Sequence, residues 1–99
     1  MAADIKTLPH GDMVTVGAAA TLLYTADHQA SNSEPINVTV QNTHATAVVT
    51  VGGFDVGDEV NGVVLDSQYD AISIPLRYKG ATVYAYSDTA STPVAVFVA

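Results

Sequence analysis

The sequence predicts an all-β fold: a small antiparallel β-sandwich or barrel of seven to eight short strands. The first observation is that apolar and polar residues alternate in segments that recur about every ten residues, as is typical of such folds. The second is that the segments are separated by clusters of Gly, Pro, Asn, Asp and Ser, which favour turns. The third is the length of 99 residues, which corresponds to one domain.

The first twelve residues show no sustained periodicity and contain Pro9 and Gly11, so 1–12 are predicted to form an extended N-terminal arm. Such an arm is either disordered alone or ordered against a neighbour. Residues 13–99 are assigned to a single sandwich domain. Its first strand is predicted at 13–16. Residues 18–26 contain both helix-favouring and strand-favouring residues, and we assign them to a strand.

The centre of the predicted fold is the stretch 36–54. Residues 36–41 alternate between apolar and polar side chains, which indicates a strand with one buried face. Residues 47–51 are more continuously apolar, as expected for a strand covered on both faces. The polar residues 42–46 have the right length for a hairpin loop, so these two strands are predicted to pair with each other.

The second half of the chain continues the pattern. Asn61-Gly62 separates two β-branched runs and predicts a type I′ hairpin turn, whose two central residues need positive φ. Residues 70–76 form a predicted strand that Pro75 places at a sheet edge or a bulge, because proline cannot donate to the ladder. Residues 81–87 and 93–98 alternate again and form the predicted closing strands.

Composition excludes several classes of function. Ten acidic residues against three Lys and Arg give a net charge of −7, which argues against binding nucleic acid or an anionic membrane surface. There is no cysteine, so neither a disulfide framework nor a thiolate metal site is predicted. No apolar run approaches the length of about 20 residues that a membrane helix needs. The N-terminal residues also lack the pattern of a signal peptide.

The predicted core is made of small side chains. The apolar fraction is 48%, but it consists largely of Ala and Val, with two Phe and no Trp. Small side chains bury less area, and hydrophobic stabilisation is about 25 cal/mol per Å². We therefore expect part of the apolar surface to be buried against another chain, although many domains of this size are stable alone.

No catalytic or cofactor-binding constellation is predicted. His10, His28 and His44 fall in the arm or in predicted loops, without the spacing of a zinc motif. The acidic loop 55–62 is the best candidate for a small ion, but it lacks the register of a calcium loop. The alternative is a charged hairpin that protects a sheet edge from mispairing, which the sequence favours. The prediction is a protein that is not an enzyme and binds no metal or cofactor.

The candidate partner interface combines two parts of the chain. Tyr84 and Tyr86 share the strand face opposite Val83 and Ala85. They either pack in a second layer of the core or form a surface for a protein or sugar partner, since tyrosine offers a large amphipathic ring. Ile5 and Leu8 are the apolar side chains with which the N-terminal arm could lie across a neighbouring subunit. These four residues are the predicted interface.

The order of motifs resembles a known group of proteins. Val38–Asn42 (V-T-V-Q-N), Val49–Gly53 (V-T-V-G-G) and Val83–Val98 (V-Y-A-Y-S-D-T-A-S-T-P-V-A-V-F-V) are similar to the strands of small β-sandwich structural proteins of tailed bacteriophages, of the head decoration, cement or head-fibre type. The resemblance covers about two-thirds of the chain. The first twelve residues and residues 18–26 lie outside it.

The resemblance implies a virion structural protein: a decoration or cement protein that binds the major capsid protein on the outer surface of the phage head. The core of Ala and Val fits this interpretation, because it indicates a homo-oligomer that closes with cyclic symmetry, and a trimer is expected. The acidic charge is compatible with the outside of the capsid, since packaged DNA would repel it. The alternative is a carbohydrate- or receptor-binding β-module of a phage fibre or tail.

Overall fold

The computed structural model describes residues 11–27 and 35–98, which form an all-β structure of antiparallel strands. The predicted fold class is therefore confirmed. The described part contains eight strands: β1 (Gly11–Val16), β2 (Thr21–Thr25), β3 (Ile36–Asn42), β4 (Val49–Gly57), β5 (Val60–Leu65), β6 (Ala71–Leu76), β7 (Thr82–Ser87) and β8 (Thr92–Val98). Within it, no helix is long and apolar enough to cross a membrane.

The strands form two four-stranded sheets. The first sheet has the order β1-β8-β3-β6 and the second has the order β2-β7-β4-β5. The paired strands are nested along the chain, since β4 pairs with β5, β3 with β6, β2 with β7 and β1 with β8. An antiparallel ribbon rolled up in this way is a jelly roll, the double-sheet architecture of eight strands and two Greek keys.

The core lies between the two sheets and is built mainly from valine. The fully buried valines are Val16, Val38, Val40, Val49, Val51, Val83 and Val94. Each contributes about 1.5–3 kcal/mol when it is buried completely. Leu65, Leu76 and Ile36 add bulk near the ends of their strands. Burial alternates along β7 and over residues 36–40 of β3, as the residue pattern of these two strands predicts.

The predicted hairpin between the strands at 36–41 and 47–51 is wrong. β3 pairs with β6 and β8 in the first sheet, whereas β4 pairs with β5 and β7 in the second sheet. The connecting residues 43–48 therefore pass from one sheet to the other. Alternation shows that each strand has a buried face, but it carries no information about which strand lies next to it.

The hairpin predicted around Asn61-Gly62 exists, but its turn lies elsewhere. β4 and β5 are paired, and Gly57 lies opposite Val60, so the chain reverses at Asp58 and Glu59. Asn61 does have the predicted positive φ, 60°, but it belongs to β5 and lies opposite a bulge of β4. Asn61 therefore adopts its positive φ within the strand, opposite the bulge, and not in the turn that connects β4 and β5.

The remaining strand predictions are confirmed with small shifts. β1 begins at Gly11, two residues before the predicted start, and β2 lies inside the ambiguous segment 18–26. β6 is an edge strand of the first sheet, which explains how it accommodates Pro75. Of the predicted arm, residues 1–10 lie outside the described residues.

Candidate interaction surfaces

One end of the sandwich is closed by a network around Asn42, whose side chain is fully buried. Its Nδ2 donates hydrogen bonds to the carbonyl oxygens of Ala47 at 2.8 Å and Leu65 at 3.0 Å. Its Oδ1 accepts a hydrogen bond of 3.0 Å from the backbone N–H of His44. A buried amide with all these partners has a structural role, because it satisfies the carbonyl oxygens of two chain segments at once.

His44 belongs to the same network. Its Nδ1 accepts hydrogen bonds from the backbone N–H groups of Thr46 at 3.0 Å and Ala47 at 2.9 Å. Because two backbone N–H groups donate to Nδ1, this nitrogen is not offered to a metal or a substrate. His10 and His28 lie outside the described residues. Residues 11–27 and 35–98 contain no group of three or more His, Asp or Glu side chains placed to hold a metal ion.

Asp88 fastens the β7–β8 turn to the β3–β4 connection at this end. Its Oδ1 accepts hydrogen bonds from the Val48 backbone N–H at 3.0 Å and from Thr89 Oγ1 at 2.9 Å. These donors, the Val48 N–H first, hold the pKa of the Asp88 carboxyl below its ordinary value of 3.8. Asp88 therefore contributes to holding two loops together.

Tyr84 and Tyr86 lie on the outer face of the second sheet. Their neighbours Val83 and Ala85 are buried in the core, so the predicted division of this strand into two faces is correct. Both tyrosines are half-buried. Tyr84 lies between Leu22 of β2 and Gly52 of β4 in the sheet. The predicted interface tyrosines thus line an outer sheet face, whereas Ile5 and Leu8 lie outside the described residues.

The β4–β5 hairpin carries the most exposed large apolar side chain among the described residues, Phe54, which is 79% exposed. Between the pairs Gly52–Gly62 and Gly57–Val60, β4 has the four residues 53–56 and β5 has one, so β4 bulges. The Asn61 Nδ2 donates a hydrogen bond of 3.1 Å to the carbonyl oxygen of Asp55 and closes the bulge.

The tip of this hairpin folds back onto the outer face of the second sheet. The Glu59 backbone N–H donates a hydrogen bond of 3.0 Å to Thr50 Oγ1, and Thr50 is buried. Val60, next to this anchor, is 54% exposed. We call five of the exposed residues of this element, those at its bulge and tip, the acidic hairpin: Phe54, Asp55, Asp58, Glu59 and Val60. It combines two apolar side chains with three carboxylates.

A second exposed element is the turn between β6 and β7, at the end of the sandwich opposite Asn42. Tyr78 is 68% exposed and stands between Arg77 and Lys79, which are also exposed. The turn is held in place because the Gly80 N–H donates a hydrogen bond of 2.8 Å to the Ala26 carbonyl oxygen. We call Arg77, Tyr78 and Lys79 the basic turn; the third cation of the sequence, Lys6, lies outside the described residues.

The interface residues predicted from the sequence do not include Phe54, Val60 or Tyr78. The available signal for Phe54 was the break in alternation at Gly52-Gly53, directly before an acidic run. Tyr78 stands between two of the three cations of the chain, in a segment that was correctly predicted as a turn. A contiguous exposed apolar patch rimmed by polar residues marks an interaction site, whereas single exposed apolar residues are normal. Phe54 and Val60 share one hairpin and are the better candidate for such a patch.

Comparison with models of known protein families gives no match, and no curated protein sequence or solved structure is significantly similar to the chain.

Proposed function

We propose that this protein is a non-enzymatic structural protein of a tailed-phage virion, a decoration or cement protein that binds the outer surface of the head. The observation that carries the proposal is the exposed apolar surface. The core consists mainly of small side chains, while Phe54 is 79% exposed and Tyr78 is 68% exposed. Exposed aromatic side chains are the residue types that anchor protein interfaces. The order of strand motifs directs the proposal to phage structural proteins.

The fold supports the proposal without deciding it. Jelly rolls are found in viral capsid domains, lectins and cupins, so the architecture is compatible with more than one function. The network around Asn42 joins the two sheets at one end of the sandwich, which is compatible with a structural part. The net charge of −7 favours a site on the outside of a shell that contains DNA.

The mechanism would be stabilisation by mass action. A protein that binds the assembled head and not its dissociated subunits stabilises the head by about 2.7 kcal/mol per site when its free concentration is 100 times the dissociation constant. We propose two partners. The first is the major capsid protein, and the second is the protein itself, which forms a trimer. No chemical step is needed, which agrees with the use of His44 as a backbone acceptor.

Binding to purified heads tests this proposal. Expanded heads lacking decoration proteins are mixed with the purified chain, sedimented, and heated while DNA release is followed by fluorescence. The proposal predicts saturable co-sedimentation and a higher temperature of DNA release. Absence of binding to heads of the phage that encodes the chain would refute it.

A carbohydrate- or receptor-binding module of a phage fibre or tail is the second candidate. It is favoured by the half-buried Tyr84 and Tyr86 on the outer face of the second sheet, where aromatic rings could stack on a sugar. A glycan array distinguishes the two candidates. Specific binding that is lost in a variant with Tyr84→Ala and Tyr86→Ala would support the module, and an array without signals would remove it.

A further inference from the structure

The acidic hairpin and the basic turn have complementary chemistry. The hairpin offers three exposed carboxylates around Phe54 and Val60, whereas the basic turn offers Tyr78 with a cation on each side. Tyr78 and Phe54 can form an aromatic contact, and Lys79 can pair with carboxylates at the rim of such a contact. The hairpin therefore supplies negative charges and the turn supplies positive charges.

The two elements do not cover each other within one molecule. Both lie toward the same end of the sandwich, since Gly52 lies opposite Tyr84 and Phe54 follows Gly52 in the direction of the turn that precedes β7. Phe54 is nevertheless 79% exposed and Tyr78 is 68% exposed, so neither aromatic side chain is packed under the other. Their exposed surfaces are therefore left for a second molecule to cover.

We infer that the acidic hairpin of one copy docks on the basic turn of a second copy. This inference builds on the proposed self-association and specifies the surfaces that mediate it. Each copy can offer one patch to each of two neighbours, and such heterologous contacts close into a ring when the rotation between copies allows it, as a cyclic trimer needs. Two copies can instead exchange both contacts across a two-fold axis, and the molar mass of the complex distinguishes the two arrangements.

Sedimentation equilibrium over a wide range of protein concentration tests the inference with the full-length chain. The wild type is expected to associate reversibly, and added salt is expected to weaken the association because charges at the rim of the contact are screened. Phe54→Ser and Tyr78→Ser are each expected to weaken it about tenfold or more, as the loss of an interface anchor does. Circular dichroism confirms that each variant is folded.

Charge reversal identifies the two surfaces. A hairpin variant with Asp58→Lys and Glu59→Lys, and a turn variant with Lys79→Glu, are each expected to associate more weakly than the wild type. A mixture of the two is expected to associate again, since Lys79→Glu supplies a carboxylate that can pair with the lysines of the hairpin variant. Asp66→Lys, an exposed acidic residue outside both patches, is the matched control and should not interfere.

Two results would overturn the inference: a wild type that stays monomeric at every concentration, or self-association that Lys79→Glu leaves unchanged. The second result would indicate that self-association uses a surface other than the basic turn. Neither result bears on head binding, because a monomer can also decorate a capsid. Conversely, a protein that associates as described but binds no heads would refute the proposed function and leave this inference standing.

Discussion

The Nδ2 of Asn42, at the end of β3, donates a hydrogen bond of 3.0 Å to the carbonyl oxygen of Leu65, at the end of β5. These two strands belong to different sheets. A second hydrogen bond from the same nitrogen to Ala47, at 2.8 Å, holds the connection that leads into β4. One buried side chain therefore links the two layers of the sandwich at the point where the chain crosses between them.

Replacing Asn42 with alanine is expected to destabilise the protein by about 3 kcal/mol. The substitution leaves the Ala47 and Leu65 carbonyl oxygens and the His44 N–H without their partner, and an unsatisfied buried group costs about 1–3 kcal/mol. Urea unfolding measures the difference. Asn37→Ala, at an exposed position of the same strand, is the control and should change the free energy of unfolding by less than about 0.5 kcal/mol. Equal effects of the two substitutions would show that the network is not important.

The contribution of Asp88 to stability is expected to depend on pH. Its pKa is lowered in the folded protein, chiefly by the Val48 N–H, so its stabilising effect is present above the ordinary value of 3.8 and is lost as pH falls through the lower folded value. Asp88→Asn should therefore be less stable than the wild type near neutral pH. The difference should shrink below pH 3.8, and urea unfolding at a series of pH values tests this. A difference that is the same at all pH values would contradict the explanation.

Gly52 is expected to tolerate no side chain. A Cβ atom there would lie against the Asn61 carbonyl oxygen and 3.1 Å from the Gly62 Cα, and both belong to the neighbouring backbone. Gly52→Ala should cost about 1–3 kcal/mol, as overpacking typically does. At Gly17 a Cβ would meet nothing within 4 Å, so Gly17→Ala should be neutral or stabilise slightly. Thermal unfolding compares the two variants, and equal midpoints would show that the bulge can open.

Phe54 is expected to contribute little to the stability of the single chain. Because it is 79% exposed, Phe54→Ser should change the free energy of unfolding by less than about 0.5 kcal/mol when measured at high dilution. The same measurement at high concentration should show a larger difference if Phe54 is covered by a second molecule. A large loss of stability at high dilution would mean that Phe54 belongs to the core of the monomer.

Alternation was sufficient to predict the fold class and most strands. The burial of Val38, Val40, Val83 and Ala85 follows directly from the period of two. The partners of the strands could not be predicted, because pairing depends on contacts that are distant in sequence. The hairpin wrongly assigned to β3 and β4 shows this. The chain crosses between the sheets after β3, and the buried amide of Asn42 holds the crossing in place. In the sequence, Asn42 is only one polar residue in a polar segment.

The candidate surfaces were predicted less completely. Tyr84 and Tyr86 could be placed on an outer face, because they alternate with buried residues. Phe54 could not be placed, since it belongs to the bulge of four residues opposite Asn61. The break in alternation at Gly52-Gly53 marks where this bulge begins, but it does not show which side chains the bulge exposes. The proposed contact between the acidic hairpin and the basic turn depends on where the fold places them, and only the structure provides that information.

The central claim is that this protein acts by covering its apolar surface with neighbouring subunits on a virion. An electron cryo-microscopy map of the particle that carries the chain tests it most directly. The account predicts eight-stranded density on the outer surface of the head, with Phe54 and Tyr78 both in contact with neighbouring subunits. Density for the chain as an isolated monomer with Phe54 facing solvent, or its absence from the particle, would contradict the account.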